Sequence, residues 1–350
     1  MTDAHEAEGQ AVSLTTKAGW DRFVADTPPL PALLPDEQWK TLDPAARETY
    51  DEMRLRHHGR LVTVATPLVN EVIRRGRRLT LLNRDQVTAR RGLIVSGPAA
   101  TGKSTAITQL GKHHEIRTRR QRGDLAGPFM PVVYVTVPPA ATPKVVAAEF
   151  ARFLGLPVTR SLNQVQITNA VCDVLATIGC QLVLVDELHN ISLHTRYGAE
   201  TADQLKYLAE RISATFVYAG INLEAQGLFT GTRGEQIAGR FTSITSEPFG
   251  NATVAERQNW SALFATLEQS LLLHRLEPQP LLRLADYLHD RTGGMIGSLS
   301  HLVRKAALEV ILDGSETITQ AVLDRITVDH HAEHHLTSAR RRQPRPSGGT

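Results

Sequence analysis

The chain has 350 residues, 41% hydrophobic and 21% charged, with a formal net charge of +3. This is ordinary globular composition, enough for one large domain or two to three smaller ones. No run approaches the roughly 18 apolar residues of a membrane span. The acidic opening Met1 to Glu6 lacks the apolar core of a secretory signal, and two cysteines, Cys172 and Cys180, argue against a disulfide scaffold and for a reducing cytoplasm. The small net charge hides arginine clusters at 54–60, 74–78, 90–91, 117–122 and 340–342. Their planar forks suit phosphate, although any one cluster also reads as a solvated face.

In chain order, residues 1–60 read as an arm with short helices. Prolines at 28, 29, 31 and 35 break it, Gly19 to Val24 forms a short amphipathic piece, and Pro44 fits the first position of a helix. Pro67 restarts a helix whose apolar stripe is Leu68, Val69, Val72, Ile73, Leu79 and Leu82. Its other face carries Arg74, Arg75, Arg77 and Arg78.

An apolar run, Gly92 to Ser96, then leads into Gly97, Pro98, Ala99, Ala100, Thr101, Gly102, Lys103, Ser104 and Thr105, followed by a helix opening at Ala106. Strand, G-x-x-x-x-G-K-[ST], helix is the complete context of a phosphate-binding P-loop. Glycines let backbone N–H groups close on phosphate oxygens, and the helix N-terminus adds partial positive charge. Lys103 would reach the β- and γ-phosphates of ATP, and Ser104 would hold Mg²⁺.

Arg117, Arg119, Arg120 and Arg122 then fall in what reads as a charged loop, 117–124. Pro131 to Val137 is a buried strand, with helices from Thr142 to Phe153 and from about Ser161 to Ile178. Gln181 to Glu187 is a second buried strand, and it ends in two carboxylates. Paired negative charges at a strand tip need a reason, and a metal with a polarised water supplies one. In this Walker B reading Asp186 binds Mg²⁺ and Glu187 polarises the attacking water. After a helix through Ala202 to Ile212 comes the strand Ala214 to Gly220. Asn222, just past its tip, is placed to contact the γ-phosphate or the water. Gln236 to Phe241 joins a helix end to a fifth strand, 242–247. Arg240 at that junction is a candidate arginine finger for a neighbouring subunit, with Arg233 as its competitor. From Val254 the pattern is helical, apart from a strand-like piece at 317–319. The tail carries His330, His331, His334 and His335, whose default is a polar tail.

The expected fold is therefore α/β: an ASCE-type AAA+ P-loop NTPase with a five-stranded parallel sheet, an N-terminal helical extension and a C-terminal helical lid. Expected boundaries are 1–60 for the arm, 61–250 for the core, 251–328 for the lid and 329–350 for a disordered tail. Over roughly 60–328 the chain resembles the TniB/TnsC family of transposition ATPases, with MuB-like and IstB-like relatives. The likeness rests on Val133 to Pro139, on Leu184 to Asn190, on Ala238 to Phe241, and on the lid motif Gly293 to Leu302. It implies an ATP- and Mg²⁺-dependent protein that polymerises on double-stranded DNA as a ring or helical filament. It further implies that the protein recruits a DDE-type transposase, engages a TniQ-like targeting protein, and disassembles on hydrolysis. One departure stands out: no arginine occupies the lid near Ser298, and Arg304 lies two turns later.

Three other readings compete. A helicase is suggested by Asp186-Glu187-Leu188-His189, but Ser213-Ala214-Thr215 precedes its strand, and no room exists for a second motor domain. A STAND-like or other AAA+ switch would gate protein partners in signalling or phage defence, with no DNA; against it, Arg74, Arg75, Arg77 and Arg78 on the basic helix and Arg117, Arg119, Arg120 and Arg122 further on are candidate DNA contacts. A third possibility is ATP binding without turnover.

Overall fold

The structure is a computed structural model that describes residues 13–27, 31–60, 63–123, 127–191, 195–225, 239–329 and 333. It forms two compact units: Met1–Thr27 with Pro67–Ser246, and Pro28–Thr66 with Glu247–Thr350.

The first unit is a five-stranded parallel sheet with helices. Its strands are β1 (Gly92–Gly97), β2 (Val132–Thr136), β3 (Leu182–Asp186), β4 (Thr215–Ile221) and β5 (Phe241–Thr245), in the order β2-β3-β4-β1-β5. Leu93 to Val95 and Leu182 to Val185 are wholly buried. Parallel strands covered on both faces read as continuous apolar runs, which is why these stretches lack alternation. Edge strand β5 buries only Ile244. The helices are α1 (Lys17–Ala25), α4 (Pro67–Asn83), α5 (Lys103–Arg122), α6 (Pro143–Phe153), α7 (Gln164–Thr177) and α8 (Arg196–Arg211).

Three local expectations change. The segment from Arg117 is not a loop but the last turns of α5. Arginine is a good helix former, a basic last turn suits the helix dipole, and Gly123 ends the helix at φ 62° with its N–H on Arg119 O. Helix α7 starts at Gln164, because Asn163 and Gln166 form a capping box. Residues 317–319 join no strand of the sheet; Thr319 instead caps a short helix.

The N-terminal arm is not one region either. Helix α1 belongs to the sheet unit, where Trp20 is completely buried and its Nε1 donates to Glu115 Oε2 at 2.9 Å. The following residues belong to the second unit. That unit contains α2 (Asp36–Thr41), α3 (Pro44–Gly59), α9 (Val254–Gln269), α10 (Pro280–Arg283), α11 (Ala285–Thr292), α12 (Ile296–Leu312) and α13 (Gln320–Arg325). Arg54 of α3 is completely buried and pairs with the equally buried Glu316, at 2.7 Å, and with Asp51. A buried charge this deep holds only with its partner, so residues 31–60 are integral here. Arg304 donates to the carbonyls of His58 (3.1 Å) and Gly59, closing the C-terminus of α3. Among the described residues no helix is long and apolar enough to cross a membrane.

Candidate nucleotide site

The site is built at the carboxyl ends of β1, β3 and β4. Gly97 ends β1 at φ 152°, and a Cβ there would meet Ser246 O at 1.9 Å, so no side chain fits. Ser246 fixes the loop from below: its N–H donates to Ser96 O at 2.6 Å. Past Ala100 (φ 59°) and Gly102 (φ 90°), α5 begins at Lys103. The first intrahelical bond runs from Ala106 N to Gly102 O, leaving the N–H groups of Lys103, Ser104 and Thr105 without helical acceptors. Those donors and the helix dipole favour an anion.

Lys103 is 7% exposed and donates to the Pro98 carbonyl. Burial lowers its pKa, while the charges of Asp186 and Glu187 push it back up. A buried ammonium resting on a carbonyl is poorly compensated, and a phosphate would complete it.

Asp186 ends β3, 3% exposed. Its Oδ1 accepts from Glu187 N at 2.8 Å and its Oδ2 from the Tyr134 hydroxyl at 3.0 Å. Burial, and then the Asp186 charge, push the Tyr134 pKa up, so this hydroxyl stays protonated and donates. Tyr134 in turn stacks on Trp20, ring centroids 6.0 Å apart. Helix α1 is thereby linked to the base of the carboxylate pair.

Glu187 sits in the left-handed region (φ 57°, ψ 33°), and its Oε2 lies 3.3 Å from His189 Nε2. Asn190 Nδ2 donates to Val137 O at 2.8 Å, tying this turn to the end of β2. Asn222 follows β4 at φ 44°, with its N–H 3.3 Å from Gly97 O. Ala100, Glu187 and Asn222 all hold positive φ without being glycine, at three adjoining strand ends. Such strain costs of order 1–3 kcal/mol per residue and gathers where geometry serves a ligand.

The donor set fits a magnesium-bound nucleotide. Magnesium takes hard oxygen ligands and keeps several waters. The exposed Ser104 and the Asp186 carboxylate would hold it beside Lys103. Among the described residues no group of three or more His, Cys, Asp or Glu could hold a metal by itself.

The arginines separate into different environments. Arg240 precedes β5, whose Phe241 pairs with Gly92 at the start of β1. It therefore stands at the amino end of the sheet, about 16 Å from the P-loop at 3.3 Å per residue. There it pairs with Glu210 at 3.0 Å. Arg74 and Arg75 are both held by Glu71, and Arg119 by Glu115 at 2.6 Å and Asp21 at 3.7 Å. Arg78 and Arg120 are exposed, as is Arg77; Arg117 and Arg122 are half-buried. Arg233, the tail histidines and Arg340 to Arg342 lie outside the described residues.

Residues 61–251, more than half of the chain, match the family model for the bacterial TniB protein. The chain belongs to the TniB family. TniB is a transposition-associated family of AAA+ ATPases. Comparison with curated proteins finds no match for this TniB-family chain. Among solved structures it is similar to the Aeropyrum pernix ORC1 protein in complex with DNA, with a TM-score of 0.56 at 14% identity, covering 79% of this chain and 68% of that one. The Aeropyrum pernix ORC2 protein in ADPNP–ADP complexes gives 0.57 at 15%, covering 75% and 68%. Drosophila ORC bound to DNA gives 0.51 at 13%, covering 84% and 69%. At such identities the likeness is one of fold, and the fold of this TniB-family chain is that of an AAA+ P-loop ATPase.

Tyr134 is the site residue that sequence reasoning missed. It lies inside an otherwise aliphatic strand and reads as core. Its hydroxyl was the available signal, since a buried tyrosine usually finds a partner.

Proposed function

We propose that this TniB-family protein is an ATP-hydrolysing switch that assembles on duplex DNA, as a ring or helical filament. With ATP bound it recruits and activates a DDE-type transposase, with a TniQ-like targeting protein as a further partner. Hydrolysis, slow and stimulated by DNA or partner, disassembles it. One observation carries this reading: Lys103, Asp186, Glu187 and Asn222 adjoin at one end of the sheet, while Arg240 stands at the other. A guanidinium that far from its own P-loop can reach only a neighbour's, which supports a site shared between subunits.

The residues divide the work. Lys103 and the N–H groups of the loop bind the β- and γ-phosphates. Ser104 and Asp186 would hold magnesium, which when bound would neutralise charge on the phosphate oxygens. Tyr134 keeps the Asp186 carboxylate oriented. Glu187 accepts the proton of a water whose oxygen bonds to the γ-phosphorus as the β–γ bridging bond breaks, giving ADP and phosphate. Asn222 orients that water or the γ-phosphate. Arg240 of the adjoining subunit stabilises the charge developing in the transition state.

Phosphate release by wild type and Glu187→Gln tests the chemistry: slow turnover is expected for the first and none for the second, with ATP binding kept in both. Equal turnover would remove Glu187 from its role. Duplex binding with ATP over a salt series tests the destination, because a DNA binder loses affinity steeply as salt rises. ATP binding without any salt-sensitive duplex binding would favour the protein-directed, STAND-like switch.

A further inference from the structure

The amino end of the sheet carries a second concavity. Below β3 and β4, helices α4 and α5 border a cleft of about 450 Å³. Arg84, His114, Arg117 and Arg122 line it, with Gln181 and Thr215 at its floor. Arg77 stands on α4 one turn before Thr80, another lining residue.

The charges in this cleft are not balanced. Burial, and then the like charges of Arg77 and Arg84, lower the pKa of Arg117. Among the described residues no carboxylate forms an ion pair with Arg77, Arg84 or Arg117, whereas Arg74, Arg75 and Arg119 each have one. The Nε of Arg117 is buried with no hydrogen-bond partner. Helix dipoles account for Arg84, just past the end of α4, but not for Arg77 or Arg117. Their effect fades within the last turn, and Arg77 and Arg117 lie more than a turn before the ends of α4 and α5. Three guanidiniums gathered without counter-charge raise the energy of the isolated protein and lower it only when an anion arrives. Arg77 and Arg84 are also about 10 Å apart along the line of α4, at 1.5 Å per residue. That is too wide for one phosphate and lets the two side chains reach different phosphates of a backbone.

We propose that this cleft binds the sugar-phosphate backbone of duplex DNA, with Arg77, Arg84 and Arg117 each meeting a phosphate. The inference rests on the DNA-binding reading above and narrows it. Arg74, Arg75 and Arg119 drop out of the contact set, being held by carboxylates, and Arg84 joins it. The DNA site then lies on the far side of the sheet from the P-loop, and α5 runs from one to the other, with Lys103 at its start and Arg117 near its end.

The test is binding of a fluorescein-labelled duplex of mixed sequence to the full chain, by anisotropy, with a non-hydrolysable ATP analogue over a potassium chloride series. The triple variant R77Q/R84Q/R117Q should lower the slope of log affinity against log salt by about 2.7, at 0.9 per phosphate contact. It should still bind a fluorescent ATP analogue as wild type does, which also establishes that it is folded. R74Q/R75Q should keep the wild-type slope. A triple-variant slope equal to wild type, while wild type binds, overturns this cleft and leaves the broader reading standing. Failure of wild type to bind duplex at any salt overturns both. If R74Q/R75Q loses as much slope as the triple variant, the assignment of contacts to this cleft falls.

Discussion

The two ends of one parallel sheet solve opposite electrostatic problems. At the carboxyl end a buried cation, Lys103, faces two carboxylates, Asp186 and Glu187, and the backbone is held in left-handed turns. At the amino end Arg77, Arg84 and Arg117 gather without a carboxylate partner among the described residues, and Arg240 sits on Glu210. The first arrangement sets charges of both signs side by side and is strained in its backbone, as befits a site preorganised for a metal-bound phosphate. The second leaves its three arginines unmatched in charge, as befits a surface that waits for a polyanion. A nucleotide site needs geometry, and a backbone-binding surface needs mainly uncompensated charge.

The largest expected effect breaks that comparison at Arg240. Arg240→Ala should lower DNA-stimulated phosphate release by about 10³-fold or more, the usual worth of an arginine finger, and leave ATP binding by the single chain unchanged. Loss of ATP binding would mean that Arg240 acts within its own subunit. Glu187→Gln should follow, lowering turnover by about 10²–10⁴-fold, which takes so slow a reaction below detection in a steady-state assay and is read in a single-turnover assay with saturating nucleotide.

A smaller effect reads the amino end through His114. Burial, and then the charge of Arg117, lower its pKa to about 4, below the ordinary 6.5. Because the folded protein holds this imidazole neutral, the unfolded chain binds the extra proton. Stability is complete above pH 6.5 and is lost as pH falls toward 4. Between pH 7 and pH 5 the loss is about 2 kcal/mol, visible as a lower denaturant midpoint. His114→Gln should flatten that dependence, and an undiminished loss would place its cause elsewhere. His58 of the helical unit, lowered to about 3 by burial first and then by the charges of His57 and Arg54, adds a drop of the same sign.

The smallest effect is at Tyr134. Removing its hydroxyl in Tyr134→Phe forfeits one hydrogen bond to a charged group. Magnesium-dependent ATP affinity should fall about tenfold, or about 1.5 kcal/mol, with magnesium-free binding unchanged. An equal fall with and without magnesium would point to a disturbed core.

Most of the carboxyl end was legible in the sequence. The P-loop glycines, Lys103 and the Asp186-Glu187 pair are local in the chain, and each follows an apolar strand, so type, spacing and context agree. The five strands were legible for the same reason. What stayed hidden depends on contacts distant in sequence. Tyr134 meets Asp186 across fifty residues, and Arg54 meets Glu316 across more than two hundred and fifty. Only the burial of Trp20 and Arg54 in different units divides the arm. The arginines from 117 read as loop by their polarity alone, whereas their helix propensity and the stop signal at Gly123 carry the helix through them. Charge clusters are the least legible of all. Arg74 and Arg77 look alike in the chain, and only Glu71 separates them.

The most direct measurement mixes two inactive variants. Glu187→Gln and Arg240→Ala, each without turnover alone, would be combined in equal amounts with duplex DNA and Mg·ATP, and phosphate release followed. A site shared between subunits predicts recovered turnover, because Arg240 of the first variant can reach an intact Glu187 in the second. A mixture no more active than the sum of its parts would contradict a shared site and, with it, the assembly switch proposed for this chain.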